Sequence, residues 1–378
     1  MFENSIGKTI RNNLSNIPGW RTKKKIVVFE SDDWGTVRTT SIDAVERLNA
    51  KGIDFMSLDA ERYSYNDTLA TTEDLSALFD VLTSVKDSKN RSAVFTSLSL
   101  VANPDFKAIK RDEFRNYYYE NFTETLKRYK GCEGSFELWK QGMDAGIFIP
   151  QFHGREHLNI ISWMHALSHG HPETIEVFNA GMWGYVNTFF DERKINYQEA
   201  FNFHDPSEIQ ILEEVIKDGL NIFESLFGYR ATLFTAPNGP FPKNLELILA
   251  SNGVKYISQG KIINQPRGKG ISTKTFRYLG MKNNHEQVYI TRNCIFEPSS
   301  LENSDWVNSC MHQIESAFRW NKPAIISSHR VNYIGSLNLK NRQNGLKQLK
   351  ELLDKIIKRW PDVEFMSSNK LGLLIQNR

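Results

Sequence analysis

Short, β-branched apolar runs alternate with amphipathic stretches along this chain, a pattern that restricts the fold to α/β with parallel strands. The runs are Ile26 to Glu30, Ser92 to Ser97, Ile147 to Phe152, Glu176 to Asn179, Ala231 to Thr235, Val254 to Ser258, Val288 to Thr291, Ala324 to Ser328 and Val363 to Met366. Helical patterns between them cover Ser41 to Ala50, Thr72 to Leu82, Ser207 to Phe227, Asn244 to Ser251 and Leu337 to Arg359. Such strands with helices outside predict a distorted (β/α) barrel of about seven strands, with an open doubly wound sheet as the alternative. The barrel is preferred because polar residues directly follow several strands: Ser31-Asp32-Asp33, His153, Pro237-Asn238-Gly239 and Ser328-His329-Arg330. A barrel gathers its site from such strand ends at one face.

The 378 residues suffice for one barrel-sized domain over 1–378. An inserted decoration, read as helical, is expected at 104–143, where Asn116-Tyr-Tyr-Tyr-Glu120 interrupts the strand–helix rhythm. Lys261 to Arg277 reads as a mobile surface loop, without Walker spacing. A net charge of +3 gives no case for nucleic acid. The basic start, with Lys8, Arg11 and Arg21 to Lys25, reads as a solvated edge. No run approaches the ~20 apolar residues of a membrane span, and Phe2-Glu3-Asn4-Ser5 begins no secretory segment. Cys132, Cys294 and Cys310 form no metal or disulfide spacing, so a cytoplasmic, reducing compartment is expected.

Two strand exits carry the chemistry. Asp32-Asp33 follows Lys25-Ile-Val-Val-Phe29, and His153-Gly-Arg-Glu-His157 follows Gly146-Ile-Phe-Ile-Pro150. On a helix or helical turn the spacing of His153 and His157 places both imidazoles on one face, able to share an ion. With Asp33 they make a three-ligand set for one divalent metal, for which zinc is the first expectation. Manganese, cobalt and iron are the other ions that such a set accepts. The zincin pattern is absent, because Gly154 follows the first His where that helix needs Glu. Glu156 is therefore expected to make a salt bridge, and Asp32 is better placed as a base. Adjacent Asp side chains on a strand face opposite ways, so both can face the site only on the turn leaving the strand, near Gly35.

These residues resemble the polysaccharide deacetylases of the NodB-homology class, which are metal-dependent hydrolases on a distorted (β/α) barrel. The likeness runs through nearly the whole chain in motif order, but the Asp and His motifs carry most of it. It implies that Asp32 is the catalytic base and Asp33 a metal ligand, with His153 and His157 supplying the others. Ile326-Ser-Ser-His329 is similar to the family's last motif and implies that His329 is the general acid. The family's groove motif, Arg-x-Pro-Tyr-Gly, is reduced here to Thr235-Ala236-Pro237-Asn238-Gly239, which lacks the Arg that holds the base. Arg38, Arg155, Arg292 and Arg330 are the candidates to replace it; Arg330 reads by default as a surface salt bridge. For the acidic residue that tunes the general acid, Glu297 and Asp305 both stand open, and Trp183 and Trp306 are expected core residues that could stack on sugar.

The resemblance implies removal of an N-acyl group, acetyl first, from an amino sugar or saccharide. Hydrolysis of another non-peptide C–N bond in a small substrate is the nearest alternative. A non-catalytic glycan-binding descendant of the fold is the other.

Overall fold

The computed structural model describes residues 13–57, 59–187, 193–302 and 305–377; Lys8 and Arg11 lie outside them. Nine of the strands form one sheet, numbered here along the chain: β1 (Ile26–Trp34), β2 (Phe95–Leu100), β3 (Phe148–Gly154), β4 (Leu233–Thr235), β5 (Tyr256–Gln259), β6 (Val288–Thr291), β7 (Cys294–Ile295), β8 (Ala324–His329) and β9 (Glu364–Phe365). Their order is β6-β5-β4-β3-β2-β1-β8-β7, every pair parallel, with β9 alongside the start of β1. This is a curled parallel sheet wrapped by helices, the distorted (β/α) barrel expected from the sequence.

The sheet's two edges are consecutive in sequence. Arg292 and Asn293 separate β6 from β7, yet the Arg292 backbone N–H donates to Gln259 of β5 and that of Asn293 donates to Ile325 of β8. Two residues thus step from one edge of the sheet to the other, which fixes how tightly it curls. A side chain on this seam is positioned by both edges at once.

All nine residues of β1 are buried, as a strand covered on both faces requires. Alternate residues sort to two faces. Val27 and Phe29 join the large cluster under the helices, whereas Ile26 and Val28 pack inside the curl with Leu98, Leu233, Ile290 and Ile325. The final helix, Ser368–Gln376, adds Leu371 and Ile375 to this inner cluster. The same period carries the inner face of β1 from Ile26 and Val28 to Glu30 and Asp32, so it turns acidic towards its C-terminal end.

Two readings of the sequence are corrected. Glu176 to Asn179 is no strand but the end of helix Pro172–Asn179, with Pro in the first turn and the His171 side chain capping Thr174 N–H. Lys261 to Arg277 is a two-stranded antiparallel hairpin, Ile262–Gly268 with Ile271–Phe276. The helices fall close to their predicted spans. Ser41 caps Ile42–Ala50, and Thr71 with Asp74 forms a reciprocal capping box on Thr72–Thr83.

The segment read as decoration is helical at Phe106–Arg111, Phe122–Leu126 and Ser135–Asp144, and a short pairing joins Ala102–Pro104 to Tyr119–Asn121. At its root Asn103 accepts from Val37 N–H and donates to the Gly35 carbonyl, fixing the chain that leaves β1. Gly35 sits at φ +93°, and a Cβ there would lie 2.2 Å from the Leu100 carbonyl oxygen. Gly35→Ala is therefore expected to destabilise the fold by more than about 2 kcal/mol, checked by chemical denaturation.

Candidate active site

Asp32 and Asp33 both serve the same cleft, although a regular strand would turn them apart. The backbone of Asp33 itself is left-handed, at φ +73°, and the pairing of β1 with β2 shifts register between Ser31 and Trp34. This bulge re-aims Asp33, so the departure begins two residues before the turn at Gly35 that the sequence suggested. Asp33 Oδ1 lies 3.4 Å from His153 Nε2 and 3.2 Å from His157 Nε2.

The two imidazoles do not share a helix, which corrects the reading from their spacing. His153 ends β3, and the chain turns at Gly154, φ +139°, to bring His157 back from the following loop. His153 Nδ1 donates to the Thr235 carbonyl at 2.8 Å, which orients the ring with Nε2 aimed at Asp33. His157 stacks on the buried Trp183 ring, 5.9 Å between centroids, and the Trp183 indole N–H donates to the Val37 carbonyl. Trp183 thus supports a candidate ligand and offers no open face to sugar.

Ligand atoms of Asp33, His153 and His157 all lie within 4.8 Å of one another, and all three side chains are buried. Asp33 Oδ1 and His153 Nε2 are sealed from solvent without a hydrogen-bond partner among the described residues. Orphaned buried polar atoms are costly, and one acceptor oxygen facing two imidazole nitrogens is the donor set a divalent cation takes. The residues fit such an ion. Burial disfavours the Asp33 carboxylate, but His157 and His153 outweigh it and hold its pKa well below the ordinary range. Burial lowers the His157 pKa against the pull of Asp33, with Arg38 and His153 adding to the decrease, and neutral imidazole is the form that ligates.

The base candidate has an arginine after all. Arg292, on the seam between β6 and β7, donates from Nη1 and Nη2 to the two Asp32 oxygens at 2.8 and 2.7 Å, and from Nε to Glu30 at 2.6 Å. Of the four arginines open to this role, it is the one bonded to Asp32. Arg155 pairs with Glu156 and Asp218, and Arg38 bonds to Gln198. Arg330, read as a surface residue, is fully buried on Asp67. Glu30 also accepts from Ser258 and Ser368, so the guanidinium is clamped below Asp32. Burial would raise the Asp32 pKa; Arg292, then His153 and His329, lower it overall and keep the carboxylate ionised.

Between Glu297 and Asp305, the structure selects Glu297. Its Oε1 lies 2.6 Å from His329 Nδ1, while Arg62 and Asn332 donate to Oε2. Asp305 instead caps helix Trp306–Arg319, and Trp306 is buried with its indole donating to the Ser300 carbonyl. His329 Nε2 faces Asp32 Oδ2 at 3.8 Å. Burial lowers the His329 pKa, but Glu297, with Asp32 and Asp33 behind it, raises it to about 9. Burial likewise opposes Glu297, and His329 with Arg62 keeps it ionised.

The sign follows from these positions. His329 holds its proton more tightly folded, near pH 9, than at its ordinary 6.5. The stability it contributes is complete below ~6.5 and lost as pH rises through about 9. Glu297→Gln removes the counter-charge, so if His329 is the acid, the alkaline limb of activity is expected to move to lower pH, as a kcat/KM profile would show.

A cavity of about 250 Å³ opens beside Asp32, Arg292 and His329, walled by Phe234, Phe241 and Ile257. Outside this set, Cys294 is buried, its thiol pushed up to about 12 by burial. His171 caps a helix and the His165 and His169 rings pack 4.2 Å apart. Glu156 pairs with Arg155 and Tyr117, away from the ion position. No helix among the described residues is long and apolar enough to cross a membrane.

No protein-family model and no curated protein matches the chain. Solved structures do. A protein described as a probable polysaccharide deacetylase from Pseudomonas aeruginosa PAO1 is 10% identical, the match covering 93% of this chain and 91% of that one at a TM-score of 0.45. Polysaccharide deacetylases are among its structural neighbours. Puue allantoinase is 11% identical over 94% of this chain and 93% of its own, at 0.46. BA3943, a CE4 family pseudoenzyme from Bacillus anthracis, is 10% identical over 92% of this chain and 66% of its own, at 0.37. Overlaps this loose set no activity, and the neighbours themselves include enzymes and a pseudoenzyme.

Proposed function

We propose that the protein is a metal-dependent hydrolase that removes an N-acyl group, acetyl first, from an amino sugar or saccharide. The observation that carries this reading is the meeting of Asp32 and His329 at 3.8 Å beside the buried set of Asp33, His153 and His157. The order of these residues along the chain, similar to that in polysaccharide deacetylases, supports it. A divalent ion held by Asp33, His153 and His157, zinc by the donor set, would acidify water and polarise the acyl carbonyl.

The chain's own groups divide the proton work. Asp32, held ionised by Arg292, takes the proton of the attacking water. The C–O bond forms, the C–N bond breaks, and the departing nitrogen needs a proton because an amide anion is a very poor leaving group. His329 supplies it from Nε2, since Glu297 occupies Nδ1. Asp32 then returns its proton to solvent, His329 recovers one, and acid and amine leave.

The cavity volume favours a small substrate over a buried polymer segment: about 250 Å³ is below the ~300–1,000 Å³ of drug-sized sites. This also sustains a second reading, hydrolysis of another small non-peptide C–N bond. Acetate release across N-acetylated mono- and disaccharides, with metal restored, tests the first reading. Turnover of a cyclic amide without acetate release from any saccharide would favour the second. Binding of saccharides unchanged by Asp32→Ala and without turnover would leave a glycan-binding protein.

A further inference from the structure

Five arginines among the described residues are buried: Arg38, Arg62, Arg155, Arg330 and Arg342. Four make ion pairs with carboxylates. Arg38 pairs with none among the described residues. Its one side-chain hydrogen bond runs from Nη2 to the neutral amide of Gln198 at 2.5 Å. A guanidinium 5% exposed, with no carboxylate in direct contact and only the longer-range pull of the buried Asp67, is costly to bury, and the chain accepts that cost next to the candidate active site.

Its surroundings place it there. The Arg38 guanidinium carbon lies 4.3 Å from the centroid of the Tyr63 ring, and that ring meets His329 edge-on at 5.9 Å. The stem of Arg38 packs so closely on Gly184 that a Cβ there would lie 2.9 Å from it. Gly184 directly follows Trp183, whose ring stacks on His157. Arg38 is therefore held between the wall that carries the candidate acid and the wall that carries a candidate ligand. Tyr63 offsets part of its desolvation through the face of the ring, and apart from the Nη2 contact to Gln198 no side-chain hydrogen bond among the described residues occupies the planar fork.

We propose that Arg38 is an anion-recognition subsite, so that the substrate is an N-acyl amino sugar or small amide bearing a carboxylate or phosphate. The position of the scissile group rests on the hydrolase reading; the anion site itself does not. A charge-assisted contact of this kind corresponds to about tenfold or more in affinity.

The test is calorimetric binding to metal-loaded protein carrying Asp32→Asn, so that no probe is consumed. The probes are N-acetylglucosamine, its 1-phosphate, and N-acetylmuramic acid as the carboxylate. At least one anionic probe is expected to bind tenfold or more tighter than the neutral sugar, and which one identifies the anion. Arg38→Gln should abolish that advantage; Arg38→Lys, which keeps the charge and loses the fork, should retain part of it. If the Gln variant does not fold, the Lys variant decides, because an undiminished advantage there counts against fork recognition. No anionic preference in the parent, or one that survives Arg38→Gln, overturns the proposal. Acetate release with Asp32 intact is read separately. Arg38-dependent preference without acetate release would reject deacetylation and keep the subsite.

Discussion

Asp32→Asn is expected to lower turnover by about 10²–10⁴-fold, the range of a lost general base, while the bound ion stays at one equivalent. The amide is nearly the same size and can still accept from Arg292, but it cannot take a proton. Asp32 is not in the three-residue ligand set, so metal content and activity should separate in this variant. In His153→Ala and Asp33→Ala they should fall together. Metal analysis and turnover on the same preparations would show the split. Loss of the ion in Asp32→Asn would mean that Asp32 is a ligand and the division of roles is wrong.

Arg292→Ala should produce the largest loss of stability in the site, about 3–5 kcal/mol, the cost of removing one partner from a buried ionic group. It leaves Glu30 fully buried and Asp32 nearly so, with the serines on Glu30 as the remaining donors. The effect on pH follows from the direction of the Asp32 shift. Its folded pKa lies below the ordinary value, so its contribution to stability is present above the unfolded pKa and lost as pH falls through the folded one. Without Arg292, burial prevails and the pKa rises, which moves the acid limb of activity to higher pH. Arg292→Lys keeps a charge but not the two-oxygen grip, and should shift that limb less. A kcat/KM profile with denaturation curves for both variants would show it; an unmoved acid limb would remove Arg292 as the support of the base.

The alternation of short apolar runs with amphipathic stretches is enough to predict the curled parallel sheet, because continuous apolar runs such as β1, buried throughout, and the polar residues at strand ends are local signals. Glu176 to Asn179 could not be resolved, since Ile175, Val177 and Phe178 suit a strand or a helix of this length equally; Pro172 and the His171 cap decide it. The hairpin at 262–276 was missed because much of both strands is exposed, leaving no apolar alternation to detect. The left-handed backbone at Asp33 is hidden too, as nothing but a glycine would have announced it.

Arg292 and Glu297 depended on closure. Each lies hundreds of residues from Asp32 or tens from His329, and their roles follow from the step between the sheet's two edges. Thr235-Ala236-Pro237-Asn238-Gly239 carries no arginine, and nothing local to it shows that a guanidinium reaches Asp32 from the seam.

The central claim is a single catalytic ion worked by Asp32 and His329. Its most direct test is acetate released from N-acetylated amino sugars by protein carrying one equivalent of zinc. The account predicts release that stops on chelation, returns with metal and is lost in Asp32→Asn. Full metal occupancy with no acetate from any sugar, neutral or anionic, would contradict it.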